Sequence, residues 1–557
     1  MKRMLVLLIV AIALVGVLAA GCGGGTTATT ATTAGSATTA GPATTAGSGT
    51  TAAPATTAAT TATTAAAADK HGGTLTVSIS QGPMSEGGLP WELIANDSAT
   101  LQTIFEPLFR GTPGAAELVP WLAESYKVAD DMLSMTITLK KGITFTDGSA
   151  LDATAAAWNI QQNIDNKKVA AWKSVEVVDD STIRIDFTKW DNTIYNALMD
   201  SPTSWMVSKA NFDKNGVDYA RTHPVGTGPF MFKSFQKDAN YDVEANPNYW
   251  QAGLPYLDGI HFVFVSDQNT KKASVLSGEV QVMELDPAKI VADLVSQAKN
   301  YTYVSSIFST TVLVLDTATK DSPLYDIKVR EALDYAIDRE SLASALGYGL
   351  WKAQYQIASP ADAGIFDPNY VYPRKYDPAK AKSLLAEAGY PNGGVKVTVY
   401  CSPAPIDPAI MTAVQDMWKQ VGIDAEVVFC TSQTEFDKYD EGGKPGSIIF
   451  QPMAAIGNYN AAISYAFSPD IVPPLYNRHW LRTPEFTEMY HKATATPTFD
   501  PTLAKAMLDW MLETDVSVLP VSGSGKGWIV ANNVKDGGWF TRSFCPWWTP
   551  ETVYIAK

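Results

Sequence analysis

Glycine-rich loops and histidine pairs are where chemistry would first show in this chain. The stretch Arg221–Phe235, RTHPVGTGPFMFKSF, sets Gly226 and Gly228 on either side of a threonine, with Pro229 directly after. A P-loop needs GxxxxGK[ST], and a dinucleotide fingerprint needs a third glycine at the position held here by Met231. Neither pattern is met. A second stretch, GSGKGW (Gly523–Trp528), also fails, because Pro520 stands where the first glycine belongs and Gly527 where the serine or threonine belongs. There is no HExxH helix and no GxSxG nucleophile elbow. The five histidines, His71, His223, His261, His479 and His491, are scattered, and the nearest pair is twelve residues apart. The sequence therefore predicts no catalytic residue, no metal site and no cofactor. Glycine permits positive φ and close approach of other segments, so PVGTGPF reads as a turn launching the extended run FMFKSF.

The bulk properties narrow the classes further. At 557 residues the chain needs two or three globular units. Its formal charge is −15, or −17 without Lys2 and Arg3. No Lys/Arg stripe interrupts that acidity, so no nucleic-acid partner is expected. Lys2-Arg3 precede an apolar run, Met4–Ala20, and LAAGC ends at Cys22. A charged start, an apolar run and small residues before a cleavage point define a secretory signal, residues 1–21. Cysteine after Ala-Ala-Gly resembles a bacterial lipobox, in which Cys22 is lipidated and becomes the mature N-terminus, although Ala19 stands where leucine is commonest. The alternative is an uncleaved anchor, for which 17 apolar residues barely span a bilayer. Either reading places the rest of the chain outside the cytoplasm. Residues 22–68 then form a Thr/Ala-rich tether without charge or large apolar side chains, unable to repay the entropy of folding. As a flexible coil it reaches about 35–40 Å.

From Asp69 onward, strands and helices mix without internal repeats. SMTITLKKGITFTDGSAL alternates on a two-residue period and turns at Asp147-Gly148. YDPAKAKSLLAEAGYP places Asp377 as N-cap, Pro378 at the first helical position and Gly389 at the stop, which predicts a helix. A strand at Val395–Cys401, a helix near Pro408–Val421 and a strand at Asp424–Cys430 make a unit whose strands should be parallel neighbours. IHFVFV (Ile260–Val265) and TTVLVLDT (Thr310–Thr317) read as strands buried on both faces. The fold is α/β with antiparallel pieces, in more than one domain. Cys401 and Cys430 fall at the carboxyl ends of the two parallel strands, so they either form a disulfide or are two buried small residues; Cys545 is left over.

The order of segments resembles the family 5 extracellular solute-binding proteins, the oligopeptide-, dipeptide- and nickel-binding group serving bacterial ABC importers. GGTLTVSI, LQTIFEPLFR, LVPWLAESYKV, LKKGITFTDGSALDA, PVGTGPFMF, ANPNYWQAGLPYLDGIHF, VREALDYAIDRESL, YDPAKAKSLLAEAGYP and MWKQVGIDAEVV follow in the family's order, from about Gly72 to Lys557. Lys140 and Thr146 replace the usual arginine and histidine of their motif. The resemblance implies a two-lobed periplasmic-binding-protein-like fold of the cluster C type with a two-segment hinge. Lobe I is mapped to residues 69–308 and 521–557 with an inserted subdomain at about 101–221, and lobe II to 309–520. It also implies a monomer that delivers a small solute to ABC permease and ATPase subunits, held by its lipid anchor at the outer face of the cytoplasmic membrane or in the periplasm. An extracytoplasmic sensor of the same fold is the alternative, and a secreted enzyme lacks any nucleophile–base arrangement here.

In peptide-binding members, a lobe II aspartate pairs with the peptide's α-amino group, in a stretch like W-x-x-D-x-x-D-P. No acid lies between Lys444 and Asp470 here. The family default is a peptide or peptide-like ligand, but burying an ammonium without a counter-charge costs several kcal/mol, so the missing acid favours a neutral or aromatic non-peptide ligand. The ligand-contact candidates are Trp91, Trp351, Tyr400, Asn458, Tyr459, Asn460 and Trp528, whose rings stack on rings and sugars and whose amides bond without charge. Arg478 and Lys526 read as solvated surface.

Overall fold

The computed structural model describes residues 70–557 except 84, 94–96, 113–114, 286–287, 404–405, 443–445, 455–458, 472–476 and 540–547. Cys22, Asn458, Cys545 and the signal and tether regions lie outside the described residues.

Period-two alternation builds one ten-stranded sheet. From edge to edge its strands are Ile423–Phe429, Val395–Cys401, Ser447–Ala454, Tyr301–Leu315, Val518–Ala531, Val282–Leu285, Thr74–Ile79, Gly259–Phe264, Asn240–Ala245 and Phe230–Gln236. In Val395–Cys401 the odd positions face one core, with Leu333, Trp418 and Leu519, while Tyr400 faces another, with Tyr459, Trp480 and Phe486. At the opposite end of the sheet, Leu75, Val77, Phe262 and Trp528 form a third core. A separate four-stranded sheet runs Ala123–Val128, Ser134–Leu139, Thr182–Phe187 and Trp172–Asp179. Helix Ala153–Asp165 backs it and helps enclose a fourth core.

The local chemistry behaves as its residue types require. Asp377 caps helix Pro378–Glu387 by accepting from the Lys380 N–H at 2.9 Å. Helix Pro408–Val421 joins Val395–Cys401 to Ile423–Phe429, which pair in parallel from Val395–Ile423 to Cys401–Phe429. The turn at PVGTGPF exists because another backbone passes it: a β-carbon on Gly228 would sit 2.5 Å from the Ile104 carbonyl oxygen, to which the Gly228 N–H donates at 2.8 Å. Between those glycines, the Thr227 hydroxyl donates to Glu106 at 2.9 Å. Glu106 is buried and also accepts from Trp121 at 2.8 Å, Tyr249 at 2.7 Å and Trp250 at 2.9 Å.

The cysteine alternatives resolve against the disulfide. Cys401 and Cys430 are free and buried. The parallel register sets Cys401 opposite Phe429, so Cys430 lies one residue further and joins the core on the opposite face. Side chains on opposite faces cannot meet the geometry of an S–S bond.

A buried ionic cluster and a buried carboxyl group lie in the half of the sheet around 395. Asp334, fully buried, accepts from Arg339 at 2.6 Å, from Arg374 at 2.7 Å and from the Tyr372 hydroxyl. Arg339 also donates to the Pro520 carbonyl at 2.7 Å, tying the cluster to the strand Val518–Ala531. Separately, the Ser359 N–H and hydroxyl both donate to the buried Asp362, at 2.6 and 2.8 Å. Burial pushes the Asp362 carboxyl up to about 6, and no cation among the described residues offsets it. The folded chain thus holds this proton more tightly than the unfolded chain does. The resulting stabilisation is full below about pH 4 and is lost as pH rises through about 6. Asp362→Asn should remove that slope from urea midpoints measured between pH 4 and 6, and raise stability at pH 7 by up to about 2–3 kcal/mol. An unchanged slope would assign the pH dependence to other groups.

Candidate functional site

The two longest strands carry the chain between the ends of the sheet. Tyr301–Leu315 and Val518–Ala531 pair antiparallel from Tyr301–Ala531 to Val314–Val518, with register shifts between Ile307 and Ser309 and between Thr311 and Val312. The failed P-loop stretch GSGKGW lies inside the second of them. At Gly527 the missing side chain makes room for Tyr303, whose ring a β-carbon would approach to 2.2 Å.

These strands also locate the site. Ser447–Ala454 ends at the level of Ser309, and its parallel neighbour Val395–Cys401 ends near Leu313, through Phe450. From the other side, Val282–Leu285 ends opposite Gly527, at the level of Ser305. The parallel strands at both ends of the sheet therefore point their carboxyl ends at one zone of the crossover strands, between Ser305 and Leu313. Ligands of α/β sheets bind outside carboxyl ends of strands, so this zone is the candidate ligand site. A groove of about 610 Å³ beside Lys396, Asp424 and Glu426 opens instead near the amino ends of Val395–Cys401 and Ile423–Phe429.

The expected contact residues distribute unevenly around it. Trp528 lies on the second crossover strand, paired with Glu284 and Val304; it is buried beside Trp539 at 5.5 Å, and its indole N–H has no partner among the described residues. Tyr459 opens the helix Tyr459–Phe467 just past the end of Ser447–Ala454; it is buried, and its hydroxyl donates to Ile357 O at 3.2 Å. Burial raises its phenol well above the ordinary value. Asn460 is fully buried and donates to Asn192 at 3.2 Å and to Ala493 O at 3.0 Å. Tyr400 is buried one residue before its strand ends and stacks on Tyr439 at 4.1 Å. Trp351 is half-buried, in the segment that bridges Ala353 to Ser522 on the second crossover strand. Trp91 packs in the third core, to which Trp528 also belongs, 5.6 Å from Trp158 and 6.4 Å from Phe212.

Residue-type reasoning missed three polar features here. Lys271 is fully buried where the parallel strands Thr74–Ile79 and Val282–Leu285 end, donating to the Ser80 hydroxyl at 2.6 Å and Glu284 O at 3.1 Å. Its signal was a place one turn before Val275 on the buried face of helix Gln268–Leu276. Thr311 and Ser522, paired across the crossover strands, have buried hydroxyls with no partner among the described residues. Asn192 is fully buried and touches residues three hundred positions away. Neither of the last two features carries a local sequence signature.

Comparison with known proteins agrees with this architecture. The family description "Bacterial extracellular solute-binding proteins, family 5 Middle" matches residues 117–473. The glutathione-binding protein GsiB of Salmonella typhimurium is 34% identical over 400 residues, covering 68% of this chain and 75% of the relative. The periplasmic binding protein DppA of Helicobacter pylori, solved with the peptide STSA, superposes with a TM-score of 0.72 at 21% identity, covering 88% of this chain and 99% of that one. NikA of Brucella suis, solved with Fe(III)-EDTA, superposes with a TM-score of 0.70 at 21% identity, covering 85% and 98%. The continuous sheet, the two crossover strands and these matches show a two-lobed binding-protein fold, and the chain belongs to the family 5 bacterial extracellular solute-binding proteins.

Proposed function

We propose that this chain is the substrate-binding component of an ABC-type importer, taking a small organic solute between its lobes and delivering it to a membrane permease. The observation that carries the reading is the convergence of both sets of strand ends on the Ser305–Leu313 zone of the crossover strands. Lobe I comprises residues 69–308 and 521–557, with the insert at about 101–221, and lobe II comprises 309–520. The chain acts as a monomer without catalysis. Lipidated Cys22 and the tether to residue 68 hold it at the outer face of the membrane.

The ligand is a small solute of the family's peptide-like class, recognised without an acid from the stretch between Lys444 and Asp470. The relative named for glutathione binding supports that class. Trp351, Tyr400, Asn458 and Trp528 supply contacts, while Tyr459 and Asn460 shape the lobe II wall through the bonds they already make.

Thermal unfolding of the chain with glutathione, free and N-acetylated dipeptides and neutral aromatic solutes tests this. A ligand at 100 times its Kd adds roughly 2.7 kcal/mol of apparent stability. Stabilisation by glutathione, or by N-acetylated and free peptides alike, is expected. If only peptides with a free amine stabilise, another carboxylate performs amine recognition. If neutral aromatic solutes alone stabilise, the ligand is not peptide-like.

A further inference from the structure

Asn192 sits in the insert, after the strand Thr182–Phe187 and before helix Ile194–Leu198, yet its partners are in lobe II. Its main-chain N–H donates to Thr494 O at 2.9 Å. Its side-chain amide donates to Ala493 O at 2.8 Å and the Thr496 hydroxyl at 2.9 Å, and its side-chain oxygen accepts from Asn460 at 3.2 Å. On either side, the Trp190 indole donates to Thr496 O at 3.0 Å and the Tyr195 hydroxyl to Pro497 O at 2.7 Å. At the rim, Lys189 pairs with Asp470 at 2.7 Å.

We propose that this cluster is a latch: a second junction between the lobes, remote in sequence from the crossover strands, that holds them closed without ligand. Two observations carry it. The insert and lobe II have separate hydrophobic cores, so the junction is a polar contact between two packed bodies and not the interior of one. Asn192 is also fully buried in the contact, so parting the lobes there must expose and rehydrate every group it satisfies. A body attached at two separated places can rotate only about an axis through both, or else one attachment must break. The crossover strands are covalent, so opening across the insert face breaks the latch. Closure is then partly prepaid by the protein, and a pre-populated closed state raises the apparent affinity of whatever ligand selects it.

The inference rests on the lobe assignment above but not on the importer reading, since a sensor of the same fold would give the same result without ligand. The test compares ligand-free wild type with Asn192→Ala and Tyr195→Phe. The reporter is the main-chain amide of residue 192, present in all three proteins. Hydrogen exchange at that amide should accelerate at least tenfold in Asn192→Ala and by a smaller factor in Tyr195→Phe. The radius of gyration from small-angle X-ray scattering should rise in the same order, with the unfolding midpoint little changed. Faster exchange with no change in radius would mean local fraying and would refute the latch. Unchanged exchange and radius in a folded variant would refute it equally. Should Asn192→Ala fail to fold, Tyr195→Phe, which loses one hydrogen bond and keeps its ring, decides the matter alone.

Discussion

Asp334→Asn should lower the stability of the folded chain by about 3–5 kcal/mol, the cost of leaving buried cations without their partner. Asp334 is the shared acceptor of Arg339 and Arg374, both at least nine-tenths buried, and it also accepts from Tyr372. Asparagine keeps the shape but removes the charge and turns an N–H₂ toward one of the two guanidinium groups. The cluster has little slack, because one Arg339 nitrogen, Nη1, already lacks a partner among the described residues. Urea unfolding at neutral pH measures the loss. A loss below about 1 kcal/mol would mean that water enters and solvates the arginines. Because Arg339 also donates to Pro520 O, the variant should loosen the crossover strands at the bulge where Val312 pairs with Pro520.

The second large effect is expected at Glu106. Its carboxylate accepts from two indoles, a phenol and the threonine between the turn glycines, joining Trp121, Tyr249, Trp250 and Thr227 around one buried acid. Burial raises its pKa, while Arg110 and the three aromatic donors pull it down. Glu106→Ala strands two buried donors and two half-buried indoles, a buried donor costing about 1–3 kcal/mol when unsatisfied, and should destabilise by roughly 4 kcal/mol after partial filling by water. Glu106→Gln, which keeps one acceptor oxygen, should recover about half. Equal losses in the two variants would show that charge, and not acceptor geometry, is what the site requires.

The two predictions sit in segments that differ in how openly the sequence announced them. Helix Pro378–Glu387 and the parallel unit from Val395 to Phe429 were legible because caps, prolines and period-two alternation act within a few residues. The PVGTGPF turn was legible as a turn, but its reason was not: Ile104, over a hundred residues earlier, occupies the space. Among the aromatic candidates, residue type alone could not separate a ligand surface from packing. Trp91 and Tyr459 are buried against protein. Cys401 ends its strand as expected, but Cys430 follows the end of the parallel neighbour, one residue past the partner of Cys401, and packs in the core on the opposite face. Asn192 was invisible because the bonds described above meet mostly main-chain carbonyls or a hydroxyl in another part of the chain, where no complementary side-chain charge marks the pairing.

The ten-stranded sheet gives the molecule a mechanical property as well as a shape. The lobes are not beads on a flexible string: an unbroken hydrogen-bonded ribbon from Tyr301–Ala531 to Val314–Val518 passes between them. A two-stranded antiparallel ribbon twists readily about its long axis and resists bending in its own plane, and its two register irregularities add local twist. The ribbon therefore behaves as a torsion spring, spreading the opening angle over many small dihedral changes. An opening rotation spread in this way needs no single residue to flip.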